Sequence, residues 1–420
     1  MPDRALHESL ARELRAALEE GEQNGVPTLA EGLLRDAVRE KATDIHVEPR
    51  DQQRTAVRLR IDGALLDVAV LPHDLAEQLE NQLKVLAEID PLPALKPVSA
   101  RFTTHIDDRD IDIRVAAVTA LSGERLTLRL LDAQRHTGND SKVGLDEKRM
   151  SPLFQSLLQR EGMLLAAGPT GCGKTTTIYE LMKQLSKEPV SLVAIEDPSE
   201  YQLPHVTQIE VDPEQEVTFP SSIRAALRMD PDYLMLGELR DEPSTRAACD
   251  AATTGVVVFG TMHARDAAGV VTSLRKWNID DYEISTLLSA VIAQRLVRRL
   301  CSHCRLTYTP DDAVRVWFDR VNAEIPDELW KAEGCDRCRG LGFDGRVAVM
   351  ETWLLTEEDR ECIVMHRDER EIRRRLAQQG HSFLLSDVLA RLRNGDTTVA
   401  EIRSLGGFGP SVDALRAIQA

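Results

Sequence analysis

Apolar and polar residues alternate through much of the first third of the chain, then give way to unbroken apolar runs. Asp44-Ile45-His46-Val47-Glu48 and Ala56-Val57-Arg58-Leu59-Arg60-Ile61 keep a period of two, which predicts half-buried strands. Asp62-Gly63 after the second is a tight-hairpin signal. Thr104-His105-Ile106 and Ile111-Asp112-Ile113-Arg114-Val115 form a second alternating pair, and Arg125 to Leu130 a further strand. With a helix over 29–40 in front of them, these segments predict an α/β domain over residues 28–134, closed by a polar linker at 135–143. Within residues 1–27, Leu6, Leu10, Leu14 and Leu18 recur every fourth position and predict an amphipathic helix. Packing on the chain's own next domain and docking to a partner both fit that helix.

From about residue 144 the pattern becomes strand alternating with helix, the mark of a largely parallel sheet, and it runs to about 299. Its candidate strands are Met163–Ala167, Leu192–Ile195, Val206–Val211, Tyr233–Leu236 and Val256–Gly260. A cysteine-bearing module follows at 300–350, and a charged, helical stretch at 351–420 carries Leu376, Leu384, Leu385, Val388, Leu389 and Leu392 as its apolar positions.

The run Gly168-Pro169-Thr170-Gly171-Cys172-Gly173-Lys174-Thr175 fits the phosphate-loop pattern and stands where that pattern has meaning, between an apolar strand and a helix that begins Thr176-Thr177-Ile178. Glycines let backbone N–H groups close around phosphate oxygens, and the helix N-terminus adds partial positive charge. Lys174 is then the ligand of the β- and γ-phosphates and Thr175 of Mg²⁺. Thr176 joins the nucleotide-binding set.

Hydrolysis also requires carboxylates, and two apolar strands end in them: Leu192–Ile195 runs into Glu196-Asp197, and Tyr233–Leu236 into Gly237-Glu238. Ligands of open α/β sheets bind at such strand ends. Glu238 is a candidate Mg²⁺ ligand, direct or through water. Arg224 and Arg228 share one face of an expected helix over 221–229, where phosphates and neighbouring acids are both suitable partners. His263 follows another strand end, which favours phosphate sensing over a purely structural place.

Cys301-x-x-Cys304 and Cys335-x-x-Cys338 have the spacing of a closed tetrahedral Zn²⁺ site; a redox dithiol pair and an iron–sulfur cluster are the alternatives. Cys172, Cys249 and Cys362 read as small buried fillers.

Composition narrows the function. Asp plus Glu number 69 against 52 Lys plus Arg, a net charge of −17, and aromatic residues make up only 4%. Nucleic-acid binding as the main task is therefore not expected. With no apolar run long enough to span a bilayer and no leader pattern, a cytoplasmic protein is expected, reaching a membrane through partners.

Taken in order, these motifs resemble the secretion-superfamily traffic ATPases of type II secretion and type IV pilus assembly, over residues 29–407. Thr43 to Pro49 resembles the N-domain signature of that family, and Val57 to Gly63 the hairpin after it. Glu196 to Tyr201 is similar to its aspartate box, Asp230 to Asp241 to its atypical Walker B segment, and Thr261-Met262-His263-Ala264 to its histidine box. Ala293 to Cys301 leads into its tetracysteine module, which favours the secretion and pilus-assembly branches over pilus retraction.

The resemblance implies a RecA-like P-loop core, a PAS-like N-terminal α/β domain, a zinc module and a C-terminal helical subdomain, assembled as a homohexamer. It also implies ATP and Mg²⁺ as ligands, structural Zn²⁺, and an inner-membrane platform protein, with a membrane tether, as partners. By position, Glu196 would orient the attacking water and Glu238 serve Mg²⁺, with Lys174 and His263 completing the catalytic set. Arg101 and Arg114 would come from the N-terminal domain to the phosphates, and Arg224 and Arg228 match the core's own arginines.

The chain departs from the family at several points. Thr254-Gly255-Val256 lacks the family's histidine, and Pro93-Ala94-Leu95-Lys96-Pro97 lacks its arginines. Ser99-Ala100-Arg101 replaces Asp-Gly-Arg, Pro243 replaces Glu, and Arg265 replaces Asn. About 25 residues stand where many members carry a large recruitment domain. An ATP-hydrolysing assembly motor is the expectation. A nucleotide-binding scaffold with weak hydrolysis and a DNA-translocating motor are the alternatives.

Overall fold

The structure is a computed structural model that describes residues 25–51, 53–92, 96–132, 153–155 and 162–405. The expected helix within 1–24, the linker 135–143 and the Pro93–Leu95 departure lie outside the described residues. The chain divides into two compact units.

The first unit begins with α1 (Gly25–Arg39), then β1 (Asp44–Pro49), β2 (Arg54–Ile61), β3 (Ala64–Pro72), α2 (His73–Leu86), β4 (Val98–Ile106), β5 (Arg109–Ala120) and β6 (Gly123–Leu131). Every neighbouring pair in the order β3-β2-β1-β6-β5-β4 is antiparallel. Asp62 and Gly63 join β2 to β3 with φ of 49° and 85°, the two positive angles of a type I′ turn. Asp107 and Asp108 do the same between β4 and β5, at 47° and 59°.

Alternation sends Ile45, Val47, Val57, Leu59, Ile113, Val115, Leu126 and Leu128 into one core with Leu33 and Leu34 of α1 and Leu79 and Leu83 of α2. The intervening positions carry charge: Asp44 pairs with Arg60 and Arg129, and Glu48 with Arg58 and Arg125. Helix α1 starts four residues before Leu29, the expected first position. Pro27 falls in its first turn, where backbone N–H groups have no intrahelical acceptor and a missing one costs nothing.

The second unit opens with β7 (Met163–Ala167), α3 (Lys174–Leu185), β8 (Leu192–Glu196), β9 (Thr207–Glu210), α4 (Phe219–Ala226), β10 (Tyr233–Leu239), α5 (Glu242–Thr253) and β11 (Val257–Met262). It continues through α6 (Ala267–Lys276), α7 (Asp281–Leu287), β12 (Leu288–Leu300), β13 (Leu306–Tyr308), α8 (Asp312–Arg320), β14 (Leu329–Lys331) and β15 (Phe343–Leu354), of which Phe343, Asp344 and Gly345 belong to the first unit. It ends in α9 (Glu357–Val364), α10 (Glu369–Gln378), α11 (Leu384–Arg393) and α12 (Val399–Leu405).

The sheet order is β15-β12-β7-β11-β10-β8-β9, parallel from β12 to β9, which is the expected RecA-like α/β core. Strands β7 and β8 are buried along their whole length, so they read as solid apolar runs. Trp353, Ile363, Ile372, Leu376 and Phe383 bring the C-terminal helices α9 and α10 into the core of this sheet.

The helix expected over 221–229 is divided. Thr218 and Ser221 form a capping box that starts α4 early, and Leu227–Met229 is a 3₁₀ turn. Pro243 sits in the first turn of α5 behind its N-cap Asp241, so proline in place of glutamate is compatible with the helix. Among the described residues no helix is long and apolar enough to cross a membrane.

Candidate nucleotide and metal sites

Strand β7 delivers the chain to Gly168, where φ is 154° and an added Cβ would lie 2.5 Å from both Cys172 Sγ and Gln294 O. Only glycine fits. Gly173, with φ 87°, caps α3, so the first N–H groups of that helix, which begins at Lys174, face the loop as an anion site. The buried Lys174 ammonium donates to Gly168 O at 2.9 Å and Pro169 O at 3.1 Å. Burial pushes its pKa down, and Glu238 is among the groups that oppose the shift. Thr175 and Thr176 are half-buried on the first turn of α3.

Two further strand ends converge on this loop. His263, just past β11, lies 3.1 Å from Gly168 O through Nδ1 and 2.7 Å from Glu238 Oε1 through Nε2. Glu238, at the end of β10, also accepts from Arg240 Nε at 2.5 Å, and Arg240 reaches Asp197 Oδ2 at 3.2 Å. Lys174 and His263 thus meet at one loop carbonyl, Glu238 joins them through the other ring nitrogen of His263, and Arg240 ties that group to the aspartate-box segment.

Glu196 lies deeper, 2% exposed at the end of β8. Tyr179 of α3 donates to its Oε2 at 2.5 Å, and Gln208 of β9 to its Oε1 at 3.0 Å. Burial pushes this carboxyl up from its ordinary value, while the hydrogen bonds from Tyr179 and Gln208 pull the other way. Gly237 makes the close approach of β10 possible: a Cβ there would stand 3.2 Å from Glu196 Cα.

Arg224 and Arg228 are exposed on α4 and the 3₁₀ turn after it. In the first unit, Arg101 and Arg114 face each other across β4 and β5, and Arg101 is paired with Asp112 at 2.7 Å.

Sequence reasoning missed three residues that the structure draws into the site: Tyr179, Arg240 and Gln294. Gln294 is wholly buried on β12, its Nε2 donating to Cys172 O at 2.6 Å and its Oε1 accepting from Thr177 Oγ1 at 2.8 Å. It clasps both the loop and the helix that leaves it. The signal was available, since Gln294 interrupts the apolar run Ala290-Val291-Ile292-Ala293. Arg240, two residues beyond Glu238, was legible from strand periodicity. Tyr179 left no such trace.

The four paired cysteines form one cluster. Cys301 and Cys335 sulfurs are 4.0 Å apart, Cys304 and Cys338 3.7 Å, and Cys335 and Cys338 3.7 Å. A tetrahedral Zn²⁺ with bonds of about 2.3 Å has sulfur–sulfur edges of about 3.8 Å, so the donor set fits zinc. Backbone N–H groups of Cys335 and Gly342 each reach Cys338 Sγ at 3.2 Å. Burial opposes ionisation of this thiol, yet those donors and the neighbouring sulfurs bring its pKa down to about 7.

Both thiol segments, 301–304 and 333–345, belong to the first unit. Leu341 packs on that unit's core, Arg339 pairs with Glu40, and the Gly345 N–H donates to Asp62 Oδ2 at 2.8 Å.

The profile of the family described as Type II/IV secretion system protein matches residues 19–404. The type II secretion system protein HxcR of Pseudomonas aeruginosa is 35% identical over 90% of this chain and 77% of its own. The type II secretion system ATPase E of Vibrio cholerae is 33% identical over 94% of this chain and 78% of its own. The ATPase DotB of Legionella pneumophila shares the fold, with a TM-score of 0.64 at 18% identity over 91% of this chain and 96% of that one.

Proposed function

Since the chain belongs to the Type II/IV secretion system protein family, we propose that it is an ATP-hydrolysing, homohexameric motor for assembly of a type II secretion pseudopilus or a type IV pilus. It works at the cytoplasmic face of the inner membrane, on a platform protein and a membrane tether. The observation that carries this reading is the meeting of Lys174 and His263 at Gly168 O, with Glu238 on the other ring nitrogen of His263, at the carboxyl ends of parallel strands.

In this reading the loop from Gly168 to Thr176 wraps the β- and γ-phosphates, which the N–H groups after Pro169 and the Lys174 ammonium hold. Bound Mg²⁺ supplies charge neutralisation between those phosphates, and Thr175 and Glu238 are the oxygen donors that would hold it. Glu196 orients the attacking water. Tyr179 on Oε2 and Gln208 on Oε1 hold the carboxylate in place, and each of its oxygens can accept more than one hydrogen bond, which leaves it able to accept one from that water.

His263 reports on phosphate through its two contacts. Arg224 and Arg228 serve the core's own nucleotide, and Arg101 and Arg114 that of a neighbouring subunit. Zn²⁺ on the four cysteines is structural.

Steady-state Mg-ATPase assays of Glu196→Gln test the hydrolytic role. Turnover is expected to fall about 10²–10³-fold with nucleotide binding retained, as when a positioned polar group is removed from a transition state. Wild-type turnover in that variant would refute the assignment. Affinity capture from native membranes then distinguishes a secretion platform from a pilus platform.

A further inference from the structure

We propose that Tyr179 is a positioning residue for hydrolysis: its hydroxyl fixes and polarises the Glu196 carboxylate from the helix that the phosphate loop opens. The proposal rests on the reading of Glu196 as the water-orienting group. Tyr179 lies on α3, five residues after Lys174, and is wholly buried. Its hydroxyl donates to Glu196 Oε2 at 2.5 Å and accepts from the Glu200 N–H and Gln208 Nε2, each at 3.4 Å.

The ring is held as firmly as the hydroxyl. Tyr201 packs edge-on against it, with centroids 4.8 Å apart, and Lys183 of α3 covers Tyr201 at 5.2 Å. Gln208 is fixed in turn, donating to Tyr201 O at 3.0 Å and accepting from the Leu203 N–H at 2.7 Å.

What surrounds Glu196 makes this hydroxyl consequential. Its hydrogen-bond donors, Tyr179, Gln208 and Ser199, are neutral, and no cation is paired with it among the described residues. Of the charged groups nearby, Glu200 on the following loop acts on Glu196 and Glu180 of α3 on Tyr201, while Lys183 lies over the Tyr201 ring and not on the carboxylate. The backbone of Gly237 closes the β10 side, and Glu210 of β9 is engaged with the Ser199 N–H. A buried carboxylate without a cation stays ionised only through its neutral donors. Tyr179 is one of these, and it stands on the element that carries Lys174 and Thr175. A displacement of that helix on nucleotide binding therefore reaches Glu196 through one hydrogen bond.

The test is the pH dependence of kcat and KM for full-length Tyr179→Phe, which keeps the ring and removes only the donor. A hydrogen bond to a charged group is worth enough to move an ionisation by about one pH unit. The acid limb of the kcat profile is expected to rise by about that much, lowering kcat roughly tenfold on the acid side. KM for ATP and binding of a fluorescent ATP analogue stay as in wild type, which also reports a folded site. The deficit closes at alkaline pH. In a Glu196→Gln background the same substitution adds no further loss.

A deficit equal at every pH, or one that persists in full in the Glu196→Gln background, would overturn the proposal and leave the Glu196 assignment standing. Wild-type turnover in Glu196→Gln alone would remove both.

Discussion

Zinc removal offers the most quantitative test of how the thiol loops serve the molecule. The perturbation is Cys335→Ser with Cys338→Ser, alongside chelation of the wild-type protein. About 30 residues separate Cys304 from Cys335. Closing a loop of that length costs at most about 4 kcal/mol of chain entropy, an upper limit because the antiparallel pairing of β13 with β14, Leu306 opposite Lys331, already draws its ends together.

Against this stand three contacts of the loop with the N-terminal unit. The Gly345 N–H on the Asp62 carboxylate contributes about 1.5–3 kcal/mol as a hydrogen bond to a charged group. The half-buried Leu341 adds about 1 kcal/mol, and the partly exposed Arg339–Glu40 pair about 0–1 kcal/mol. Their sum, about 2.5–5 kcal/mol, is of the same size as the closure cost, so loss of the metal loosens the loop and weakens its hold on the N-terminal unit.

For a unit of this size, each kcal/mol corresponds to about 2–4 °C, giving a fall of roughly 10 °C in its unfolding midpoint. All four tryptophans, Trp277, Trp317, Trp330 and Trp353, lie in the second unit, so their fluorescence does not report this transition. Hydrogen exchange of the β2 and β3 amides does. The expected result is about one Zn per chain in wild type and faster exchange in those strands for the variant, with the phosphate-loop strand β7 little changed. Unchanged protection of β2 and β3 after confirmed metal loss would refute the reasoning.

Two other perturbations follow from buried polar groups. Gln294→Leu leaves Cys172 O and Thr177 Oγ1 without their partner, at about 1–3 kcal/mol each, so binding of a fluorescent ATP analogue should weaken tenfold or more; unchanged affinity would count against the clasp. Burial, reinforced by Glu124 and opposed by Lys84, raises the Glu80 carboxyl from 4.5 to about 7. The folded state therefore prefers the neutral acid, a contribution fully present below the ordinary carboxylate pKa and lost as pH climbs through about 7. Glu80→Gln should flatten the fall in N-terminal stability over that interval, and stability curves running parallel to wild type would refute it.

The fold was legible wherever one face of an element dominates its sequence. Strands β1, β2 and β5 show plain alternation because one side meets α1 and α2 and the other carries ion pairs. Strands β7, β8 and β10 show plain apolar runs because both sides are covered. Strand β12 escaped detection for a related reason. Its Arg295 donates to the carbonyls of Gln294 and Arg265, and its Arg298 pairs with Glu401, so charged residues occupy a strand that hydropathy alone does not mark. Element ends shifted where a cap outweighed propensity, as at Thr218 and Ser221.

The site was legible where backbone geometry dictates residue type, and obscure where side chains from distant elements meet. Gly168 is required by its own φ and by Gln294 O, so the phosphate loop can be read from one short segment. Tyr179 is different: a buried tyrosine on an amphipathic helix reads as core, and its ring does pack there. Only the pairing of β8 with β9 sets Gln208 opposite Ala194 and within reach of the Glu196 carboxylate, while α3 brings the Tyr179 hydroxyl to the other oxygen. Local pattern encodes what each element must be. The chemistry of Glu196 depends on three elements at once, and it is a carboxylate held by neutral donors whose ionisation the surrounding fold decides.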